Sequence, residues 1–574
     1  MNGKKMNTML KQYKKYIYRG LCISFITLAL NSCESTELEI LESPNALAPT
    51  QADVDLFLNS IQIKLAAVLD GTQSDDNAGL SERGMEVTRL LHMFGPTYEN
   101  AYLPGDVDIV YEDTYAGLLA DTKAILEPAE EAGLYTHKGI AKAIEAYTFM
   151  TLVDFFGDMP FSEAIQGTEF PNPSLDDDAA IYAAVETLLN DALTEFNRDE
   201  AFGVADDIFY GGNEDQWIKL VNTLKLKLYL QTRLIDSNAG AKINALVADG
   251  NIILDSADDF QFQYSSTDAN PDSRHPIFGR NFDVAADVSD YMSNYYMVLL
   301  KDSYPTGDPR TRYYFYRQSL NFTDDANEAD CVTQSAPVHF ELSDVFCDAG
   351  NGYWGRDHGD NDGIPPDGGL RSTWGVYPIG GLMDINQGAA IPGRDIGLEG
   401  AGISPIMLAS FTNFMLAEAA LVTGVTGDPR AYLEAGVRAS INKVIAFGEG
   451  LDYLDDAVDE TRTVRDVYVP AQENIDQYVT NVLDDYDAAS ATGKLEVIVK
   501  EYFKALFGNG VEAYNTYRRT GFPSDLQPTL LAEPGEFINS FIYPSEMVDQ
   551  NSNISQKPNQ AVRVFWAEGG PTVD

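Results

Sequence analysis

Two of the chain's four tryptophans stand in the stretch from Tyr353 to Gly380, YWGRDHGDNDGIPPDGGLRSTWGVYPIG, among aspartates, glycines and prolines. Gly and Pro break every helix or strand period there, yet large rings are retained, which is the composition of a built surface rather than of disorder. Flat rings stack on the weakly polar C–H faces of sugars, while carboxylates, guanidiniums and imidazoles take the hydroxyls. Tyr353, Trp354, Asp357, His358, Arg371 and Trp374 are therefore candidate glycan contacts. The same residues fit an opposite reading, in which the rings plug the loop onto a scaffold and Arg356 and Arg371 pair with its own aspartates. Tyr377, beside Pro378, favours plugging. Asp357, Asp360 and Asp362 ahead of Gly363 imitate part of a calcium loop, but no bidentate Glu closes it, so the match is partial and no cofactor is expected. A second aromatic turn runs from Phe94 to Gly105; its Tyr98 and Tyr102 suit a ligand or a half-buried seat against a helix equally well.

Signatures of catalysis are missing. No Gly-rich phosphate loop follows a strand, no G-x-S-x-G elbow occurs, and the five histidines lack metal-ligand spacing. Carboxylate pairs could serve glycoside hydrolysis, but among 88 acids a pair proves nothing, so a surface glycoside hydrolase stays only as an alternative.

The N-terminus carries a basic segment, an apolar run from Leu21 to Leu30 too short to span a bilayer, and then Leu30-Asn31-Ser32-Cys33. This is similar to a bacterial lipoprotein box, with residues 1–32 as signal peptide and Cys33 as the acylated residue that anchors the chain to a membrane. Glu34, Glu37 and Glu39 follow in an acidic tether over 33–50, which resembles the surface-export signal of Bacteroidota-type lipoproteins. The formal charge is −49, and removal of the six basic residues of the leader leaves 33 basic residues against 88 acidic, near −55. Such a field repels phosphate backbones and argues against nucleic acid as a partner. Cys22 leaves with the leader and Cys33 takes lipid, so Cys331 and Cys347 remain. In an oxidising compartment they predict a disulfide at the base of the aromatic loop, worth about 3 kcal/mol by loop closure; two buried free thiols are the alternative.

What must position the loop is helical. Apolar residues recur at helical spacing over Asp53 to Leu69, about Arg83 to Met93, Val107 to Ala132, Lys138 to Phe156, Ala179 to Phe196 and Glu214 to Ile235. The rhythm is lost from about 260 to 402, where only Val288 to Leu300 and Pro309 to Gln318 look regular. It returns over Ile406 to Thr423, Arg430 to Ala446, Gln472 to Asp487 and Gly493 to Leu506. The expectation is a mainly α domain over 51–574, a helical scaffold with one long irregular insertion holding a few short strands. Small residues alternating with large ones over 138–156 suit interlocking helix pairs, and Trp217 reads as a core anchor.

Several stretches together resemble the SusD/RagB-type outer-membrane nutrient-binding lipoproteins: SPNALAPT (43–50), AYTFMTLVDFFGDMPFSEA (146–164), WIKLVNTLKLKLYLQTR (217–233), the Trp354 loop, MLAEAAL (415–421), FKALFGNGVEAYNTYRRTGFP (503–523), YPSEMVDQN (543–551) and VFW (564–566). The resemblance implies tetratricopeptide-like helix pairs carrying an irregular ligand face. It further implies a lipid-anchored lid at the outer membrane, facing the cell exterior, that captures oligosaccharide and delivers it to a SusC-like TonB-dependent transporter. Peptide cargo is the alternative, and the acidic surface would favour cationic peptides. In that setting Tyr98, Tyr102 and the Tyr353 to Tyr377 loop are the expected ligand positions, although the GRDHGDNDGIPPD stretch could equally be shared scaffold.

Overall fold

Helices begin where a short polar side chain satisfies the first free amides. Asp177, Asn213, Asp428, Ser490 and Asn509 each accept a hydrogen bond from an amide two or three residues on. The computed structural model describes residues 54–73, 78–199, 207–282, 290–363 and 368–573. Cys33, the tether and the leader lie outside these residues. Its principal helices are α1 (Val54–Asp70), α2 (Leu80–Val87), α3 (Tyr135–Phe156), α4 (Asp178–Phe196), α5 (Glu214–Gln231), α6 (Ala239–Asp249), α7 (Ala409–Val422), α8 (Pro429–Gly448), α9 (Gln472–Ala488), α10 (Ala491–Ala505) and α11 (Gly510–Thr520).

Successive helices pack on one another: α3 on α4, α4 on α5 and α5 on α6, then α7 on α8, α8 on α9 and α9 on α10. The protein is thus mainly α-helical, as its periodicity predicts. α3 is buried on nearly every side. Its Gly139 lets α4 approach so closely that a Cβ there would lie 2.6 Å from the Phe196 ring. Chain-distant α2 and α11 cross at Gly84 and Gly510, where an added Cβ on Gly84 would fall 2.2 Å from the Gly510 carbonyl oxygen. The Ser81 hydroxyl fixes this crossing, donating to the Gly508 carbonyl at 2.9 Å and accepting from the Gly510 amide at 3.0 Å.

Buried charges staple the stack. Asp154 of α3 accepts from Lys227 of α5 at 3.2 Å, Asn515 of α11 at 2.6 Å and the Trp566 indole N–H at 3.0 Å, as well as from the Tyr182 hydroxyl of α4. Lys227 also pairs with Glu512 at 2.8 Å. A buried carboxylate with this many donors is compensated, and the geometry locks four helices and the C-terminal segment into one register.

The insertion is closed at its base. β1 (Phe260–Gln263) pairs antiparallel with β4 (Ile403–Met407), Phe260 opposite Met407, so the chain leaves and rejoins the helical frame through one two-stranded sheet. Within the insertion β2 (Phe315–Arg317) pairs antiparallel with β3 (Ser372–Trp374). Some expected boundaries differ. The expected helix at Ile406 begins only at Ala409, because 403–407 is claimed by the sheet. The run from Arg83 stops at Val87, because Arg89 takes a left-handed φ of 65°. Pro309 to Gln318 divides into a single helical turn and β2.

Candidate ligand-binding site

The loop at Tyr353 is an interior wall. Trp354 is 1% exposed and Trp374 0%, and Tyr98, Tyr102, Tyr353, Asp357, His358 and Arg371 are all buried. This corrects the reading of Trp354 and Trp374 as stacking platforms: a ring without an accessible face cannot stack on a sugar. The cause is the β2–β3 pairing. It turns Trp374 onto Phe507, with centroids 4.6 Å apart and planes at 28°, while Tyr377 stacks on Tyr314. Trp354 meets Phe322 edge-on at 5.3 Å and carries the Arg371 guanidinium 5.0 Å from its centroid. Tyr102 donates to Glu86 at 2.6 Å and packs on Phe541. Tyr353 lies under the Arg317 guanidinium.

Asp357 ties the loop to the frame. Its carboxylate accepts from Asn294 and Gln527 at 2.8 Å each and from the Cys347 amide at 2.7 Å. Burial pushes that carboxyl up, and these three donors oppose the rise. His358 is kept neutral, well below the usual imidazole range, by burial first and then by Arg89 and His92. Arg356 lies against both the Phe94 and Tyr291 rings and donates to the Asp362 carbonyl at 2.6 Å and to Asp360 at 3.3 Å. Asp357 and Asp360 are spent on protein donors, and among the described residues the one acidic group with converging oxygens is Asp158, Asp177 and Asp178. Those three face the start of α4, where they accept amide hydrogen bonds from Asp178, Ala180 and Phe565 respectively.

Cys331 and Cys347 form a disulfide. The segment it closes carries His339, whose Nε2 lies 2.9 Å from the Thr529 carbonyl oxygen. Opening the ring in a Cys331→Ser/Cys347→Ser double variant is expected to remove about 3 kcal/mol of loop-closure stabilisation, read as a lower urea midpoint.

The expected residues are divided among three cavities. Asp357 and Arg371 line a small cavity of about 30 Å3 beside the disulfide. Tyr353 reaches a cleft of about 450 Å3, and Tyr98 a cleft of about 580 Å3. Tyr102, Trp354, His358 and Trp374 line none of these. The Tyr98 cleft has the makings of a ligand site, with apolar Pro528, Leu531 and Pro534 around a few convergent polar groups. Its floor is set by the α2–α11 crossing: Arg89, just past α2, donates to the Tyr98 hydroxyl at 2.7 Å, and Tyr517 comes from the last turn of α11. Its rim is the proline-rich segment 526–535 and His339 of the disulfide loop. Sequence reasoning missed these residues. Their only signal was the run LQPTLLAEPG following the α11 motif.

The scaffold is thus one of packed helix pairs carrying an irregular insertion, with a cleft over the α2–α11 crossing. Residues 44–336 match the SusD-like family described as "Starch-binding associating with outer membrane", and residues 401–565 match "Susd and RagB outer membrane lipoprotein". The chain belongs to the SusD/RagB family of outer membrane lipoproteins. Among solved structures it is similar to a SusD homolog from Bacteroides fragilis, at 19% identity and TM-score 0.62 over 90% of this chain and 99% of that one. A SusD/RagB family protein from Bacteroides thetaiotaomicron matches at 18% and 0.62 over 91% and 100%. A chitin-binding SusD homolog from Flavobacterium johnsoniae matches at 17% and 0.58 over 90% and 99%. No curated protein matches the chain. Among the described residues no helix is long and apolar enough to cross a membrane.

Proposed function

We propose that this protein is a non-catalytic, lipid-anchored receptor on the cell exterior that captures oligosaccharide and delivers it to a SusC-like TonB-dependent transporter. The match of both halves to one family of outer membrane lipoproteins carries the reading. The lipoprotein box at Cys33 supports the anchor, and the Tyr98 cleft offers a place for cargo. Because solved relatives are described as chitin-binding, chitin oligosaccharides are the first probe. Calorimetry is expected to show binding to the wild type and at least tenfold weaker binding for His339→Ala and for Ala532→Trp, which fills the cleft. Unchanged affinity in both variants removes this cleft from the site. Cys33→Ala is expected to move the protein from the membrane to the soluble fraction, and loss of palmitate labelling checks it.

A further inference from the structure

The cleft that Tyr353 reaches lies apart from the Tyr98 cleft and shares no lining residue with it. It continues past Tyr468 into a neighbouring cleft of about 530 Å3, and the half-buried Tyr468 lines both. The two halves have opposite charge. On one side the charged lining is Lys301, Arg312, Arg317 and a fully buried Asp308 that Arg310 already holds at 2.6 Å. On the other it is Asp395, Glu399, Asp452 and Asp456, all exposed. In a chain with 88 acids against 39 bases, three cations gathered on one cleft wall stand out from the acidic surface.

The cations are not equivalent. Lys301 pairs with Asp302 at 2.5 Å and Arg317 with Asp384 at 2.6 Å. Arg312 is different. Its Nη1 donates to the Asp384 carbonyl at 3.0 Å and to the Asn386 amide oxygen at 2.9 Å and lies 3.8 Å from the Asp384 carboxylate that Arg317 holds more closely, and its guanidinium lies 5.3 Å from the centre of the Tyr468 ring. Those contacts fix the fork, whereas Nε and Nη2 hydrogen-bond to no protein acceptor among the described residues, and the side chain is 34% exposed. A planar guanidinium held by one nitrogen, with its other edge open into a cleft, is preorganised for a bidentate carboxylate. Exposed Asn351, Asn386 and Asn474 line the same cleft as amides for hydroxyls, and Tyr468 offers a ring face at the junction.

We propose that this double cleft is a second glycan site, selective for a chain in which a single uronic acid is joined to neutral sugars. The uronate carboxylate docks on Arg312, and its ring or its neighbour packs on Tyr468. The adjoining neutral unit hands its hydroxyls to the Asp395, Glu399, Asp452 and Asp456 side, where a second carboxylate is repelled.

Calorimetry on the mature protein at low and moderate salt tests it with three probes: aldotetraouronic acid, which carries one uronate on a neutral xylose chain, xylotetraose and tetragalacturonate. The expected result is binding of aldotetraouronic acid at least tenfold tighter than either other probe, weakening with salt. Arg312→Met is expected to bring it down to the xylotetraose level. Asn474→Ala, on the exposed rim, is expected to weaken it without shifting the melting temperature, which guards against a folding artefact from Arg312. Equal binding of xylotetraose, or unchanged affinity in Arg312→Met, overturns the carboxylate site, and tetragalacturonate binding as tightly overturns the neutral half. Since His339→Ala and Ala532→Trp act in the other cleft, failure here and failure of the cargo reading are separate observations.

Discussion

Trp374→Ala is expected to destabilise the fold by about 3–5 kcal/mol while leaving the oligosaccharide affinity of the folded protein unchanged. The ring has no exposed surface, stacks on Phe507 and sits opposite Phe315 in the β2–β3 pair. Truncation leaves a cavity between the insertion and the segment after α10, and β3 loses the side chain that stands opposite Phe315 in the strand pair. Trp354→Ala is expected to act in the same direction, since it also strips Arg371 of one of its two aromatic neighbours and leaves only Tyr291. Urea unfolding measures the stability and calorimetry at low denaturant the affinity. A variant with wild-type stability and lost binding would return the ring to the ligand face.

The helical frame was legible because its signals are local. Apolar periodicity is written within a few residues of the helices it shapes, as over Ala179 to Phe196 and from Glu214 onward. The conspicuous motifs proved to be internal joints: Glu418 of MLAEAAL meets Arg519 of YNTYRRTGFP, and Trp566 of VFW meets Asp154. Aromatic density in a polar loop could not separate a ligand platform from a buried plug. That choice depends on strand pairing between 315–317 and 372–374, far apart in sequence, which no local pattern reports. The clefts were illegible for the same reason. Arg89, His339 and Thr529 meet only because α2 crosses α11 and the disulfide loop folds over segment 526–535, and Arg312 reaches Tyr468 across the whole insertion.

The second large effect belongs to one of those joints. Glu418, buried in α7, receives Arg233 at 2.8 Å and Arg519 through two bonds of 2.9 and 2.8 Å. Burial pushes its carboxyl up, but the two guanidiniums outweigh burial and hold it at about 2, below its ordinary 4.5. Glu418→Ala strands both cations in the interior and is expected to cost about 3–5 kcal/mol, whereas replacing the whole cluster by apolar residues of similar volume would cost far less. Glu418→Gln keeps an acceptor and the volume, so it is expected to fall between wild type and Ala. The pH dependence follows from the lowered value. Between 4.5 and about 2 the unfolded chain binds a proton at Glu418 that the folded chain does not, so this share of stability is intact above 4.5 and is lost as pH falls through about 2. Urea midpoints measured from pH 6 down to pH 3 are therefore expected to fall more steeply for wild type than for Glu418→Gln. Parallel curves would show that Arg233 and Arg519 do not hold the charge of this carboxylate in the folded state.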